Sequence, residues 1–348
     1  MSSISVNTIT DSSGGSTTSI NGFTPSVSNM AGRNRIINGD MRIDQRNAGA
    51  GVAVTSAGYT FGVDRFSARA SIGSGHTLSQ ETDAPDGFSN SLKFTVGTGA
   101  TPTGTDFVRC LYLFEGYDVA NLNYGSNTAK TVTLSFWVKS SLTGTFGVAL
   151  RHFTSRNSVA AYTISQANTW EHVSVSFAGD VSNAFSDTTN LEALTIGFDL
   201  GEGPDRSRSA GSWLDNANTQ FGLTNGTKVI ATSGATWQIT GVQLEEGSVA
   251  TPFEHRHYGQ ELALCQRYYE VNPTTQKVFA VYPGGSTVSV GYSYLWKVTK
   301  RASPTVTTGE VLPSTFVGTS DEHGAYWIRS GSVTAYRVTG PITADSEL

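Results

Sequence analysis

The stretch VTLSFWVK, Val132–Lys139, decides the fold. Val132, Leu134, Phe136 and Val138 point one way, while Thr133, Ser135 and Trp137 point the other. Such strict alternation is the mark of a strand with one face on a core. The same period of two recurs in Leu92/Phe94/Val96, Phe146/Val148/Leu150, Val173/Val175/Phe177 and Leu194/Ile196/Phe198. Clusters of Gly, Asn, Asp and Ser separate these runs, as turns require. One further strand, Trp237–Leu244, changes phase. Trp237 and Ile239 alternate, then Val242 and Leu244 take over, which predicts a β-bulge at Gly241. This reading places Phe136 and Val175 between two sheets, and Trp137 and Trp170 in or beside the core. Many short strands without a long helical period predict an all-β fold, a jelly roll or β-sandwich over residues 34–257.

Outward from that domain the period changes. Tyr258, Leu262, Cys265 and Tyr269 are spaced 4, 3 and 4 apart, one face of a short linking helix within 258–271, and Pro273 limits its extension. Val288, Val290, Tyr292, Tyr294, Trp296 and Val298 then alternate again, opening a second, smaller β domain over 272–348. Residues 1–33 are Gly/Ser/Thr-rich and hold no Lys or Arg before Arg33. A hairpin with Ile4, Val6 and Ile9 in one arm, turning at Asp11–Gly15, would bury too little to stand alone. Either it is a flexible leader, or a partner orders it, as by strand addition to a sheet edge.

Charged residues make up 15% of the 348, below the roughly 25% of ordinary domains, and 38 glycines favour strands joined by tight turns. The net charge is −5, and the 23 Lys and Arg form no stripe, so no nucleic-acid partner is expected. No apolar run is long enough to span a membrane, and the first residues lack a signal peptide. Synthesis in a cytosol leaves Cys110 and Cys265 as buried free thiols.

Chemistry is sparse. There is no G-x-S-x-G elbow, and GLTNGTK at Gly222–Lys228 lacks the phosphate-loop spacing. His255 and His257 could share a strand face, but no third metal ligand lies at natural spacing. Glu245 and Glu246, adjacent on a strand, point to opposite faces and cannot flank one glycosidic bond. Asp199, Glu202 and Asp205 could hold a hard cation or act as an acid pair; a solvated turn is the plainer reading. Trp213 sits in a polar loop, SAGSWLDNANTQF, with Phe221 after it. A ring presented there could stack on a sugar while Asp215 and Asn216 bond its hydroxyls, making Trp213, Asp215, Asn216 and Phe221 the glycan-binding candidates. The same tryptophan could instead plug the end of the sandwich.

Several segments resemble a known family. NRIINGDM (Asn34–Met41) with YTFGVDRF (Tyr59–Phe66) resembles the opening of carbohydrate-binding-module-like jelly rolls in phage tail proteins. WQITGVQLEEGSVATPFEHR (Trp237–Arg256) and the following YGQELALCQRYYE resemble their close and helical exit. The leader ISVNTITDSSGGSTTSING is similar to those of tail-fibre-like proteins of marine phages, and the terminal ITADSEL to their ends. The resemblance implies a non-enzymatic structural protein of the virion tail, made in the host cytoplasm and often a homotrimer. Its partners would be other tail proteins, bound through residues 1–33, and a host-surface glycan. Such jelly rolls often hold a structural calcium through acids on the first and last strands. Asp40 matches the first position, but Thr240 and Gly241 stand where the last strand often carries Asp, so no cofactor is expected.

A trimer would bury Leu262, Tyr269, Tyr292, Tyr294 and Trp296 between copies, because a second domain of this size has a limited core of its own. A monomer that folds these aromatics back on the jelly roll is the competing arrangement. Two other functions compete with attachment: a tail-associated polysaccharide depolymerase or glycosidase, and a free lectin-like protein.

Overall fold

The computed structural model describes residues 32–152, 156–215, 220–272, 288–308, 316–331 and 341–348. Two antiparallel sheets face each other. One runs, in spatial order, Val52–Ala53, Thr77–Glu81, Ser91–Thr95, Thr236–Glu246, Val132–Ser140 and Glu171–Phe177. The other runs Gly211–Leu214, Arg156–Ile164, Gly144–His152, Glu192–Asp199, Val108–Glu115, Phe66–Ala70 and Thr60–Val63. From Ser91 to Asp199 the chain crosses repeatedly between the two sheets, which gives the jelly-roll sandwich. The core between them holds the fully buried Phe136, its ring 5.2 Å from both Tyr162 and Phe198 in edge-on contact. Phe94, Phe146, Ile196, Trp237 and Ile239 fill the same space.

The bulge stands where the phase change puts it. Thr236–Glu246 pairs with Val132–Ser140 in one register up to Thr240 and in a shifted one from Gln243. Gly241 lies between at φ +60°, a conformation that costs a residue with a Cβ. Val175 corrects the expected register only in depth. It faces the core opposite Leu134, but Glu171–Phe177 is an edge strand and leaves it half-buried.

Val108–Glu115 is a strand that alternation does not reveal, because every residue of it is buried. Cys110, Tyr112 and Phe114 face the main core, while Leu111 and Leu113 belong to an outer cluster with Phe221, Leu223 and Leu348. Both cysteines are free and buried, and burial pushes the Cys110 thiol up to about 12.

The linking helix is Tyr258–Gln266, shorter than the apolar stripe implied. Tyr269 opens a strand instead, Tyr269–Asn272, which pairs with Ile342–Asp345, itself paired with Thr305–Thr308. A second small sheet orders Val288–Leu295, Gly324–Gly331 and Phe316–Ser320. The strand expected over 288–298 therefore stops at Leu295.

Candidate functional site

Outward-facing positions of the six-stranded sheet follow from its register. Trp137 lies opposite His172 on one side and Thr240 on the other, and Lys139 lies opposite Gln238. Two connections cross this face. Residues 247–254 run over one half, where Thr133 Oγ1 donates to the Gly247 carbonyl and Thr251 Oγ1 to Glu245 Oε2. Gln243 accepts the Glu254 amide, so this half is closed. The loop between Glu81 and Ser91 covers Gln238, Ser91 and Thr240, with Thr240 Oγ1 donating to the Asn90 carbonyl at 2.7 Å.

The remaining half is open and aromatic. Trp137 and His172 form its floor, with rings 5.3 Å apart; Trp137 is half-buried and His172 exposed. Partial burial of the ring lowers the His172 pKa. Phe88 stands against the bulge, and its ring meets Phe253 at 5.2 Å and His255 at 5.4 Å. On the other side Trp170 donates through Nε1 to Asp83 at 3.3 Å, and the Lys139 ammonium sits 5.1 Å from its ring centroid. Asp83 also accepts from Lys139 and Gln238. The Lys139 hydrogen bond holds the Asp83 carboxyl below the usual carboxylate range. Half-exposed rings beside fixed donors and acceptors can stack on an apolar ring face and bond the hydroxyls at its rim.

These positions revise the sequence reading. Trp137 and Trp170, expected in or beside the core, are half-exposed on the outer face. Trp213 is the reverse case: it is 8% exposed, in a main-core cluster with Tyr124, His152 and Phe185. Its Nε1 donates to the Ala178 carbonyl at 2.7 Å, so the ring plugs the sandwich and has no free face for a sugar. Phe221 is also buried, under the guanidiniums of Arg109 and Arg151. Asp215 pairs with Arg156 at 2.5 Å, and Asn216 lies outside the described residues. The three described positions, Trp213, Asp215 and Phe221, do not form one open site. A short-range signal did exist for the outer face: Thr133, Ser135 and Trp137 alternate against the apolar positions. The closing strap and loop, both remote in sequence, decide which part stays open.

Of the three acids in the loop, Asp205 is exposed as a solvated turn requires, but the other two are not. Asp199 and Glu202 are buried; Asp199 accepts Lys228 Nζ at 2.7 Å, and Glu202 pairs with Arg109 at 2.7 Å. His255 and His257 lie outside any strand, and His255 packs on Phe88 and Phe253. Asp40 pairs with Arg42, and Thr240 donates its hydroxyl to the Asn90 carbonyl. Among the described residues no group of three His, Cys, Asp or Glu side chains could hold a metal.

No protein-family model matches the chain, and no curated protein does. Solved structures similar to it include the enzymatically active domain of tailspike protein 4 of bacteriophage CBA120, at 12% identity and TM-score 0.35. That match covers 62% of this chain and 21% of the tailspike chain. A family 11 carbohydrate-binding module of Clostridium thermocellum, in complex with a mixed-linked tetrasaccharide, matches at 11% identity and TM-score 0.28. It covers 59% of this chain and all of the module, 100%. The N-terminal cellulose-binding domain of Cellulomonas fimi β-1,4-glucanase C matches at 14% identity and TM-score 0.29, over 53% and 90% of the two chains.

Proposed function

We propose that this chain is a non-enzymatic structural protein of a bacteriophage tail, and that the open half of its six-stranded sheet binds a host-surface glycan. The observation that carries the glycan reading is the floor of Trp137 and His172, flanked by Trp170, Phe88 and the Asp83–Lys139 pair. Asp83 is held ionised by its donors, which suits a hydroxyl acceptor and not a general acid. Membership of a tail is supported by the resemblance of the leader and closing segments, and the leader, residues 1–33, is the proposed attachment to neighbouring tail proteins. Its residues 1–31 lie outside the described set.

A homotrimer keeps that resemblance as its support, because one chain already satisfies much of the expected interface. Trp296 is buried with Ala325, Ile342 and Ala344, and its Nε1 donates to the Asp321 carbonyl. Tyr294 donates to Glu270, and Arg46 stacks on Tyr269 at 3.6 Å. Leu262 packs on the cluster of Ile37, Ile43, Cys265 and Tyr268. Tyr292 stands opposite Trp327 in its ladder, its side chain outside the described residues.

The test is a glycan array that includes polysaccharide extracted from host cells, followed by titration of the best ligand. Trp137→Ala is expected to weaken binding about tenfold or more, roughly 1.4 kcal/mol, without lowering the melting temperature. Trp213→Ala is expected to lower stability by about 3–5 kcal/mol, because it empties the plug. Retention of full affinity by Trp137→Ala would remove this face from consideration. Absence of the protein from purified virions by mass spectrometry would defeat the tail assignment.

A further inference from the structure

The opposite sheet carries a different feature on its outer face. Arg69, Arg109, Arg151 and Arg206 line one cavity of about 200 Å³ with Phe107 and Phe221, and Tyr59 stands at its side. No carboxylate lines it among the described residues. Register explains the crowding: Arg69 lies directly opposite Arg109 in neighbouring strands. Like charges so placed destabilise a sheet unless something neutralises them. Three guanidiniums surround one ring, with Arg69, Arg109 and Arg206 at 5.5, 4.7 and 5.1 Å from the Phe107 centroid. Arg109 and Arg151 lie 4.5 and 5.5 Å from the Phe221 centroid.

The charges are only partly matched. Glu202 pairs with Arg109 at 2.7 Å and Glu192 with Arg151 at 2.6 Å. Arg69 and Arg206 donate to the neutral carbonyls of Ser56 and Thr105, at 3.0 and 2.5 Å, and reach no carboxylate among the described residues. Burial lowers the Arg109 pKa; Glu202 opposes this, while Arg206 and Arg151 repel it further. Two positive charges thus remain beside a partly buried space.

We propose that this cavity binds a tetrahedral oxyanion, either free sulfate or phosphate or the same group carried as an ester. A tetrahedral oxyanion offers acceptors in several directions, which suits guanidiniums converging around one ring better than a planar carboxylate does. Its negative charge offsets the two arginines that pair with no carboxylate. The pocket lies on the sheet opposite the proposed glycan face, so its failure would leave that reading intact.

The experiment uses the full chain at low ionic strength. Inorganic sulfate, inorganic phosphate, glucose 6-sulfate and glucose 6-phosphate are titrated calorimetrically, and melting is followed in sulfate against chloride at matched ionic strength. Sulfate is expected to raise the melting temperature beyond chloride, because it binds the folded state. The Arg69→Gln/Arg206→Gln variant is expected to bind at least tenfold more weakly, and to melt no lower than the parent without sulfate, since like-charge repulsion is relieved. Tighter binding of an ester than of its free ion would assign the pocket to a ligand-borne group; the reverse would assign it to the free ion. The proposal is overturned if no anion binds, or if the double variant binds as well as the parent. A variant that melts lower and shows unchanged sulfate stabilisation would make the arginines packing elements and overturn it as well.

Discussion

Asp64 shows how one residue couples this fold to pH. It is fully buried, and burial pushes its carboxyl up to about 7 against the hydrogen bonds it accepts from Gln45. The folded chain therefore holds this proton more tightly than the unfolded chain, where a carboxyl titrates near ~4. The stability it contributes is present below about pH 4 and is lost as pH rises through about 7. Asp64→Asn keeps a neutral group of the same shape. From pH 5 to pH 8 the parent's melting temperature is expected to fall relative to that variant by on the order of a few degrees. A constant difference between the two across that range would mean that Asp64 is ionised throughout. Nothing in YTFGVDRF signals this burial. The carboxyl is enclosed by Gln45, by Asn38, which donates to the Asp64 carbonyl, and by the C-terminal residues near Arg46.

At the scale of elements, the bulged strand Thr236–Glu246 links the core to the open face. A Cβ on Gly241 would come within 2.7 Å of Phe88 and 3.1 Å of Trp137, and its φ of +60° adds backbone strain. Gly241→Ala should cost about 1–2 kcal/mol from the backbone alone. It should also displace Phe88 and weaken glycan binding, which urea denaturation and titration would measure separately. A fully stable variant with unchanged affinity would contradict the bulge as the support of that face. The bulge was legible because the apolar phase changes within one strand. Val108–Glu115 was not, since VRCLYLFE has both faces covered and the alternation rule detects only half-covered strands. Trp213 failed for a related reason: its strand is Gly211–Leu214, too short to show a period.

For the whole molecule, the segments that carry the family resemblance form a lock. Asn34 Oδ1 accepts the Ile36 and Leu244 amides, while Arg256 donates to the Ile36 carbonyl and pairs with Glu261 on the helix. Asn38 donates to the Ile43 and Asp64 carbonyls at 2.8 and 2.9 Å, and the Ile37 amide donates to the Tyr112 hydroxyl. The last residues extend the lock. Glu347 pairs with Arg65 and Arg46, Arg65 lies 3.4 Å over Tyr268, and Arg301 donates to the Ser346 carbonyl. Arg65 is 1% exposed, so Glu347→Ala leaves its charge buried without a carboxylate. That should cost about 3–5 kcal/mol in denaturant unfolding. A loss well under 1 kcal/mol would mean that water already reaches Arg65 and that the tail is not a structural part of the sandwich.

Sequence by itself determined the all-β class, the strands with one covered face and their inward residues, the bulge and the start of the helix. These follow from periods of two and 3.6 and from backbone freedom at single residues, all local properties. Only the tertiary structure decided which outward faces remain open. Trp137, between Phe136 and Val138, is a half-exposed floor, while Trp213, in a polar stretch of the chain, is a buried plug. The difference is made by groups far away in sequence: the 247–254 strap and the loop before Ser91 leave Trp137 uncovered, and Tyr124, His152 and Phe185 enclose Trp213. The arginine pocket has the same origin. Arg69, Arg109, Arg151 and Arg206 are scattered along the chain, and antiparallel register and a shared phenylalanine bring their charges together. Burial and charge density depend on the sum of such long-range contacts, and no local pattern encodes that sum.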